Sequence, residues 1–178
     1  MNTVKQTCCI CCCIKNEHDF INRWLEYHIK IGISHFYLLV DNVYDEQEPY
    51  IIDKKFKDKE VIGIDLHEFK PYTIVGDIHN LQFEDNYFDI EFTNIFDHSI
   101  YPEKFISEVH RTLKSGGIFI LHFQYKIDQD KYTETIITDV DKFKALLKDK
   151  FEIISDNKLP SNITAMNYEI KLKKKLIN

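Results

Sequence analysis

Residues 76–94 read Gly76-Asp77-Ile78-His79-Asn80-Leu81-Gln82-Phe83-Glu84-Asp85-Asn86-Tyr87-Phe88-Asp89-Ile90-Glu91-Phe92-Thr93-Asn94, and residues 108–117 read Glu108-Val109-His110-Arg111-Thr112-Leu113-Lys114-Ser115-Gly116-Gly117. Tyr72–Val75 ahead of the first stretch, Phe88–Asn94 within it and Ile118–Phe123 after the second are apolar runs of strand length. Between them, Pro102–Leu113 places Phe105, Ile106, Val109 and Leu113 on one helical face, with Pro102 suited to a first turn. Strand, turn, strand, helix and strand in about 50 residues is the rhythm of a parallel sheet with crossover helices.

The same alternation extends outward. Toward the C-terminus the pattern predicts a helix over Asp139–Lys148 and two closing strands, Phe151–Ser155 and Tyr168–Leu172, paired antiparallel. The Lys-rich end from Lys171 to Lys175 reads as a solvated edge strand protected by its charge. Toward the N-terminus come a strand over Val61–Leu66, a short helix from Pro49 to Asp58, an acidic loop over Asp41–Glu48 and a strand over His35–Val40. Further out lie a helix from Asp19 to Ile31 with Gly32 as its C-cap, and a strand over Cys8–Ile14. No linker or repeat interrupts the series, so residues 1–178 are expected to form one α/β domain.

Composition excludes several classes. Hydrophobic residues are 44% and charged residues 29% of the 178, which fits neither a disordered nor a membrane-spanning chain. The net charge of −6 argues against a general nucleic-acid or anionic-membrane surface, and a cytoplasmic location is expected. All five cysteines fall in Cys8-Cys9-Ile10-Cys11-Cys12-Cys13. A structural zinc site wants four converging ligands, and neighbouring strand residues point to opposite faces, so no metal is expected. A buried strand with cysteine as a small hydrophobe is the preferred reading; lipidation, redox chemistry and metal binding are the alternatives.

In a doubly wound sheet, ligands sit beyond the carboxyl ends of the strands. Asp65, at the end of Val61-Ile62-Gly63-Ile64-Asp65, is an acid in that position and could accept hydrogen bonds from both hydroxyls of a ribose. A strand ending in Gly-Asp, an L-x-F-x-D-x-x-F-D stretch and an R-x-L-K-x-G-G stretch before the next strand resemble the class I S-adenosylmethionine-dependent methyltransferases of the small type 11 kind. The resemblance covers residues 60–124 best and implies a Rossmann-like, mostly parallel sheet with helices on both faces. It implies that Asp65 binds the cofactor's ribose and Leu66 packs on its adenine. Asp77 would accept from the adenine amino group, with Ile78 giving a backbone amide and an apolar wall. Asn94 and Ile95 would end a strand beside the methyl donor, and Asp97 and His98 would stand at the acceptor edge, His98 handling protons. Capping the Pro102 helix is the alternative role for Asp97 and His98.

The first 55 residues are similar to something else. Lys15-Asn16-Glu17, Trp24-Leu25-Glu26-Tyr27-His28, Gly32-Ile33-Ser34-His35-Phe36-Tyr37 and Asp41-Asn42 resemble the opening of a GT-A-type glycosyltransferase. That resemblance implies a sugar-nucleotide grip involving Asp41, but no later D-x-D stretch follows. The chain thus reads as a glycosyltransferase-like opening (residues 1–55) joined to a methyltransferase-like rear half (residues 56–178). The strand His35–Val40 would take the place of the first methyltransferase strand. The loop after it, Asp41-Asn42-Val43-Tyr44-Asp45-Glu46, lacks the glycines that let a backbone approach a cofactor. Val43 and Tyr44 would crowd the ligand, and the acids would repel its carboxylate. Three functions follow: methyl transfer from S-adenosylmethionine to an unidentified acceptor, sugar transfer from a nucleotide, or a non-catalytic interaction domain.

Overall fold

All eight apolar runs form strands. The computed structural model describes residues 8–11, 26, 30, 35–39, 60–65, 73–125, 133–159 and 166–176. The strands are β1 (Cys8–Cys11), β2 (His35–Leu39), β3 (Glu60–Asp65), β4 (Thr73–Val75), β5 (Phe88–Thr93), β6 (Leu113–Phe123), β7 (Phe151–Lys158) and β8 (Tyr168–Lys174). They make one sheet in the order β4-β3-β2-β1-β5-β6-β8-β7. β4 through β6 in that order pair in parallel, and β8 is antiparallel to both β6 and β7. The expected Asp41–Glu48 loop and Pro49–Asp58 helix lie outside the described residues. Of the expected helix over Asp19–Ile31, Glu26 and Lys30 are described, and both are helical.

Helices α1 (Pro102–Thr112) and α2 (Val140–Leu147) pack together on one face. α1 contributes Phe105, Ile106 and Val109, and α2 contributes Val140, Phe143 and Leu147. They close over Phe119, Leu121 and Phe123 of β6 and Ile170 and Leu172 of β8. Each fully buried aromatic or aliphatic side chain contributes roughly 1.5–3 kcal/mol. α2 starts where its cap dictates: the Asp139 carboxylate accepts from the amides of Asp141 and Lys142 at 3.0 and 3.1 Å.

Two expectations need correction. Ser115-Gly116-Gly117 does not lead into a strand at Ile118. The helix passes directly into β6 at Leu113, and four residues of β6 bulge between the pairs Phe88–Leu113 and Ile90–Ile118. Gly116 takes φ +76°, and a Cβ on Gly117 would meet the Lys114 carbonyl at 2.8 Å, Leu113 Cγ at 2.9 Å and the Asp89 carbonyl at 3.0 Å. The glycines therefore build the bulge. Nor is the Lys-rich end a solvated edge. β8 lies between β6 and β7, and Lys174 is 4% exposed, its Nζ donating to the Leu113 carbonyl at 2.6 Å and Asn86 Oδ1 at 2.9 Å. Lysine repetition resembled an edge because only Lys173 and Lys175 of the run are exposed. The true edge is β7.

β1 occupies an unusual place. Counted from β2, the order β4-β3-β2-β5-β6 is that of a doubly wound sheet, whose direction reverses where β2 meets β5. β1 is wedged into that reversal, with Ile10 beside Leu38 on one side and Cys8–Cys11 beside Ile90–Thr93 on the other. Neighbouring strands lie about 4.8 Å apart, so the ends of β2 and β5 are separated by about 10 Å instead of about 5 Å. Cys8–Cys11 thus form an interior strand of the sheet, while Cys12 and Cys13 lie outside the described residues.

Candidate functional site

The carboxyl ends of β3, β4 and β5 meet along one rim. Asp65 closes β3 and pairs in register with Val75, the last residue of β4. The chain then turns through Asp77–Asn80, with the Asn80 amide donating to the Asp77 carbonyl at 2.8 Å. The Asp77 carboxylate organises this turn. Its Oδ1 accepts from the His79 amide at 2.8 Å and from His79 Nδ1 at 2.6 Å, an Asx arrangement reinforced by a ring. Partial burial opposes ionisation of Asp77, but the two hydrogen bonds from His79 outweigh it and hold the carboxyl below the usual carboxylate range. Its side chain remains 46% exposed.

His79 reaches across to the exit of β5. Its Nε2 lies 2.8 Å from Ser99 Oγ, and the Tyr101 amide donates to the same nitrogen at 3.4 Å. This donor set fits a ring protonated on Nδ1. The ring is edge-on to Tyr101 and Phe105 at 5.7 and 6.5 Å. Ser99 is fully buried.

Beyond β5, Asn94 is half-buried and Ile95 packs into the core. A 3-10 turn over Phe96–His98 follows. Asp97 is buried; its carbonyl accepts from the amides of Glu134 and Thr135, both at 2.8 Å, and Thr135 Oγ1 donates to the Ser99 carbonyl at 2.6 Å. His98 Nε2 lies 3.8 Å from Asp97 Oδ1. Neither residue caps α1: the cap is Tyr101, with no side-chain cap bond, so the alternative role for the pair is not realised. The exits of β4, β5 and β6 are thus tied into one rim. Next to it, an apolar groove of about 520 Å³ runs between α1 and α2, lined by Phe96, Ile106, Ile136, Phe143 and Leu146, with Leu146 60% exposed.

The rim gathers Asp77, Ile78, Asn94, Ile95, Asp97 and His98, with the backbone of Asp65 beside them; Asp41 and Leu66 lie outside the described residues. The sequence reading missed His79 and Ser99. The signal for His79 was its place two residues after Asp77, within reach of that carboxylate in a tight turn. No local pattern pointed to Ser99, whose partner lies 20 residues away.

The rest of the recurring stretch works at the opposite end of the sheet. The Arg111 guanidinium donates to the carbonyls of Leu81 and Phe83 at 2.8 and 2.7 Å, to Asp85 Oδ1 at 2.8 Å and to both oxygens of Glu108 at 2.5 and 3.1 Å. Glu108 in turn accepts from the Leu81 amide at 2.7 Å. These residues fasten the connection between β4 and β5 to the last turn of α1. Among the described residues, no cluster of His, Cys, Asp and Glu could hold a metal ion, and no helix is long and apolar enough to cross a membrane.

A parallel sheet with a reversal of strand order, closed by an antiparallel strand pair and carrying acids at two adjacent strand exits, is the class I methyltransferase fold. The chain has this fold, and its residues 49–121 match the model of a methyltransferase domain family. Similar solved structures include an S-adenosylmethionine-dependent methyltransferase from Methanosarcina mazei: TM-score 0.57, 15% identity, covering 98% of this chain and 95% of that one. Another, from Aquifex aeolicus, has TM-score 0.55 and 15% identity, covering 96% and 82%. A third is the Haloferax volcanii complex containing the Trm112 methyltransferase activator: TM-score 0.60, 13% identity, covering 98% and 83%. Comparison with curated proteins gives no match.

Proposed function

We propose that the chain binds S-adenosylmethionine along the exits of β3, β4 and β5 and transfers its methyl group to an acceptor at the β5 exit. The observation that carries this reading is Asp77. It is an ionised, half-exposed carboxylate with one oxygen held twice by His79, while the other has no partner among the described residues. With half-buried Ile78 beside it, this side of the rim fits the nucleoside half of the cofactor. Asp65 and Leu66 would hold ribose and adenine, and Asp41 the methionine ammonium. Bound there, the cofactor supplies a methyl group already activated on a sulfonium. The protein's part is to orient the donor and acceptor. Asn94 and Ile95 fix the backbone at the transfer edge, and His98, with a side chain 30% exposed, is the group able to take a proton from an acceptor.

A second reading, a non-catalytic interaction domain of the same fold, is favoured by β1. The wedged strand sets the end of β2 about 10 Å from the β5 exit, twice the usual strand spacing. The apolar α1/α2 groove gives such a domain a surface to use.

A thermal-shift titration separates these readings. A ligand at 100 times its dissociation constant adds about 2.7 kcal/mol, or about 5–10 °C for a chain of this length. S-adenosylmethionine and S-adenosylhomocysteine are expected to give that shift, and Asp65→Ala to remove it. A shift with UDP-sugar and manganese alone would hand the function to the glycosyltransferase-like opening. No shift with any ligand would leave the interaction domain.

A further inference from the structure

We infer that His79 is the positioning residue of the adenine pocket: it pins Oδ1 of Asp77, so that Oδ2 alone meets the ligand, and ties that carboxylate to the β5 exit through Ser99. The inference rests on the nucleoside site proposed above and adds a residue and a selectivity to it. An aspartate carboxylate normally turns with little resistance about its last torsion. Here both donors of His79 converge on one oxygen, at 2.8 and 2.6 Å. The ring is itself fixed from the far side by Ser99 Oγ and the Tyr101 amide. His79 is 10% exposed against 46% for Asp77, so the imidazole acts through the carboxylate and not on a ligand. The Asp–His–Ser order is that of a nucleophile relay, but a fully buried Ser99 hydroxyl cannot attack a substrate.

The consequence is selectivity. An ionised carboxylate only accepts hydrogen bonds. With Oδ1 occupied, Oδ2 favours a 6-amino purine, and a 6-oxo purine would set oxygen against oxygen. In Asp77→Asn, the amide oxygen must stay on the donors of His79, which leaves Nδ2 facing the ligand as a donor. The preference should then invert toward the 6-oxo purine. Were the side chain not pinned, the amide would turn to suit either base.

The experiment is calorimetric titration of S-adenosylhomocysteine and S-inosylhomocysteine into wild-type protein, Asp77→Asn and the double variant Asp77→Asn/His79→Gln, with melting temperatures alongside. Wild type is expected to prefer the adenosyl ligand on the order of tenfold or more, as for a hydrogen bond to a charged group. Asp77→Asn should prefer the inosyl ligand. In the double variant, glutamine lacks the ring donor that holds the amide oxygen, so the side chain can turn and the two affinities should lie within about threefold of each other. Equal binding of both ligands by Asp77→Asn, or an inosyl preference that survives undiminished in the double variant, would overturn the inference while leaving the nucleoside site standing. If wild type binds neither ligand, the site itself fails and the inference with it.

Discussion

Replacing Arg111 with methionine should show whether the Leu81–Asp85 stretch and Arg111 serve stability rather than chemistry. Methionine keeps most of the alkyl stem and removes five hydrogen bonds. The contact with Asp85 counts for little, because that side chain is 70% exposed. The carbonyls of Leu81 and Phe83 lose their guanidinium donor, at about 1–3 kcal/mol each where water cannot replace it. Glu108, 12% exposed, keeps its charge beside the core without a counter-charge. Arg111 is itself 32% exposed, so water can enter the gap and the low end of each figure applies. The sum is about 3–4 kcal/mol, or a fall in melting temperature of about 6–16 °C. Urea unfolding of wild type, Arg111→Met, Glu108→Gln and the double variant measures it. The double variant should be more stable than Arg111→Met, because the stranded charge is gone. A single-variant cost below about 1 kcal/mol, or no recovery in the double variant, would refute the clamp.

Changes at three further positions test the core and the bulge. Gly117→Ala forces a Cβ against two backbone carbonyls and should cost about 1–3 kcal/mol. Gly116→Ala has room but a φ of +76°, and should cost about 1–2 kcal/mol, recovered in part by Asn; equal tolerance of alanine at both sites would contradict the bulge geometry. Glu91 is 2% exposed, and burial pushes its carboxyl up to about 8 from 4.5, helped by nearby Glu108 and opposed by the hydrogen bond from Thr112. The folded value exceeds the unfolded one, so the native state holds this proton longer. Stability should fall by about 1.4 kcal/mol per pH unit between about pH 4.5 and 8. Glu91→Gln, which can still accept from Thr112, should remove that slope; identical slopes in unfolding titrations of the two proteins would rule it out.

The succession of strands along the chain and the helices over 102–112 and 140–147 were legible because their periodicity is local, and Asp139 and Pro102 mark the helix starts. Position within the sheet was not. Lys174 looked like an edge residue, and only the pairing of β8 between β6 and β7 buries it. The Gly116-Gly117 pair was expected ahead of a strand at Ile118 and lies inside β6, because nothing in sequence separates a helix end from a bulge in the next strand. At the rim, Asp77 could be chosen from its place after a strand, while its partnership with Ser99 depends on two loops meeting in space. Arg111 was legible as a pattern, but its task, gripping carbonyls 28 and 30 residues earlier, was not.

The wedged first strand also bears on how the chain assembles. β1 pairs with β2 about 30 residues on, but its pairing with β5 begins at Ile90, 82 residues after Cys8. That seam closes one of the widest loops in the sheet, and such pairing is slow because chain entropy must be lost before contacts form. The segment from β5 onward already owns its helices, its antiparallel pair and most of its buried phenylalanines. It can consolidate first and offer the free edge of β5 as a template. The four strands before β5 would then meet the rest of the sheet late in folding along a single line of backbone hydrogen bonds between β1 and β5, the place where a protease or a cosolvent should part the molecule first.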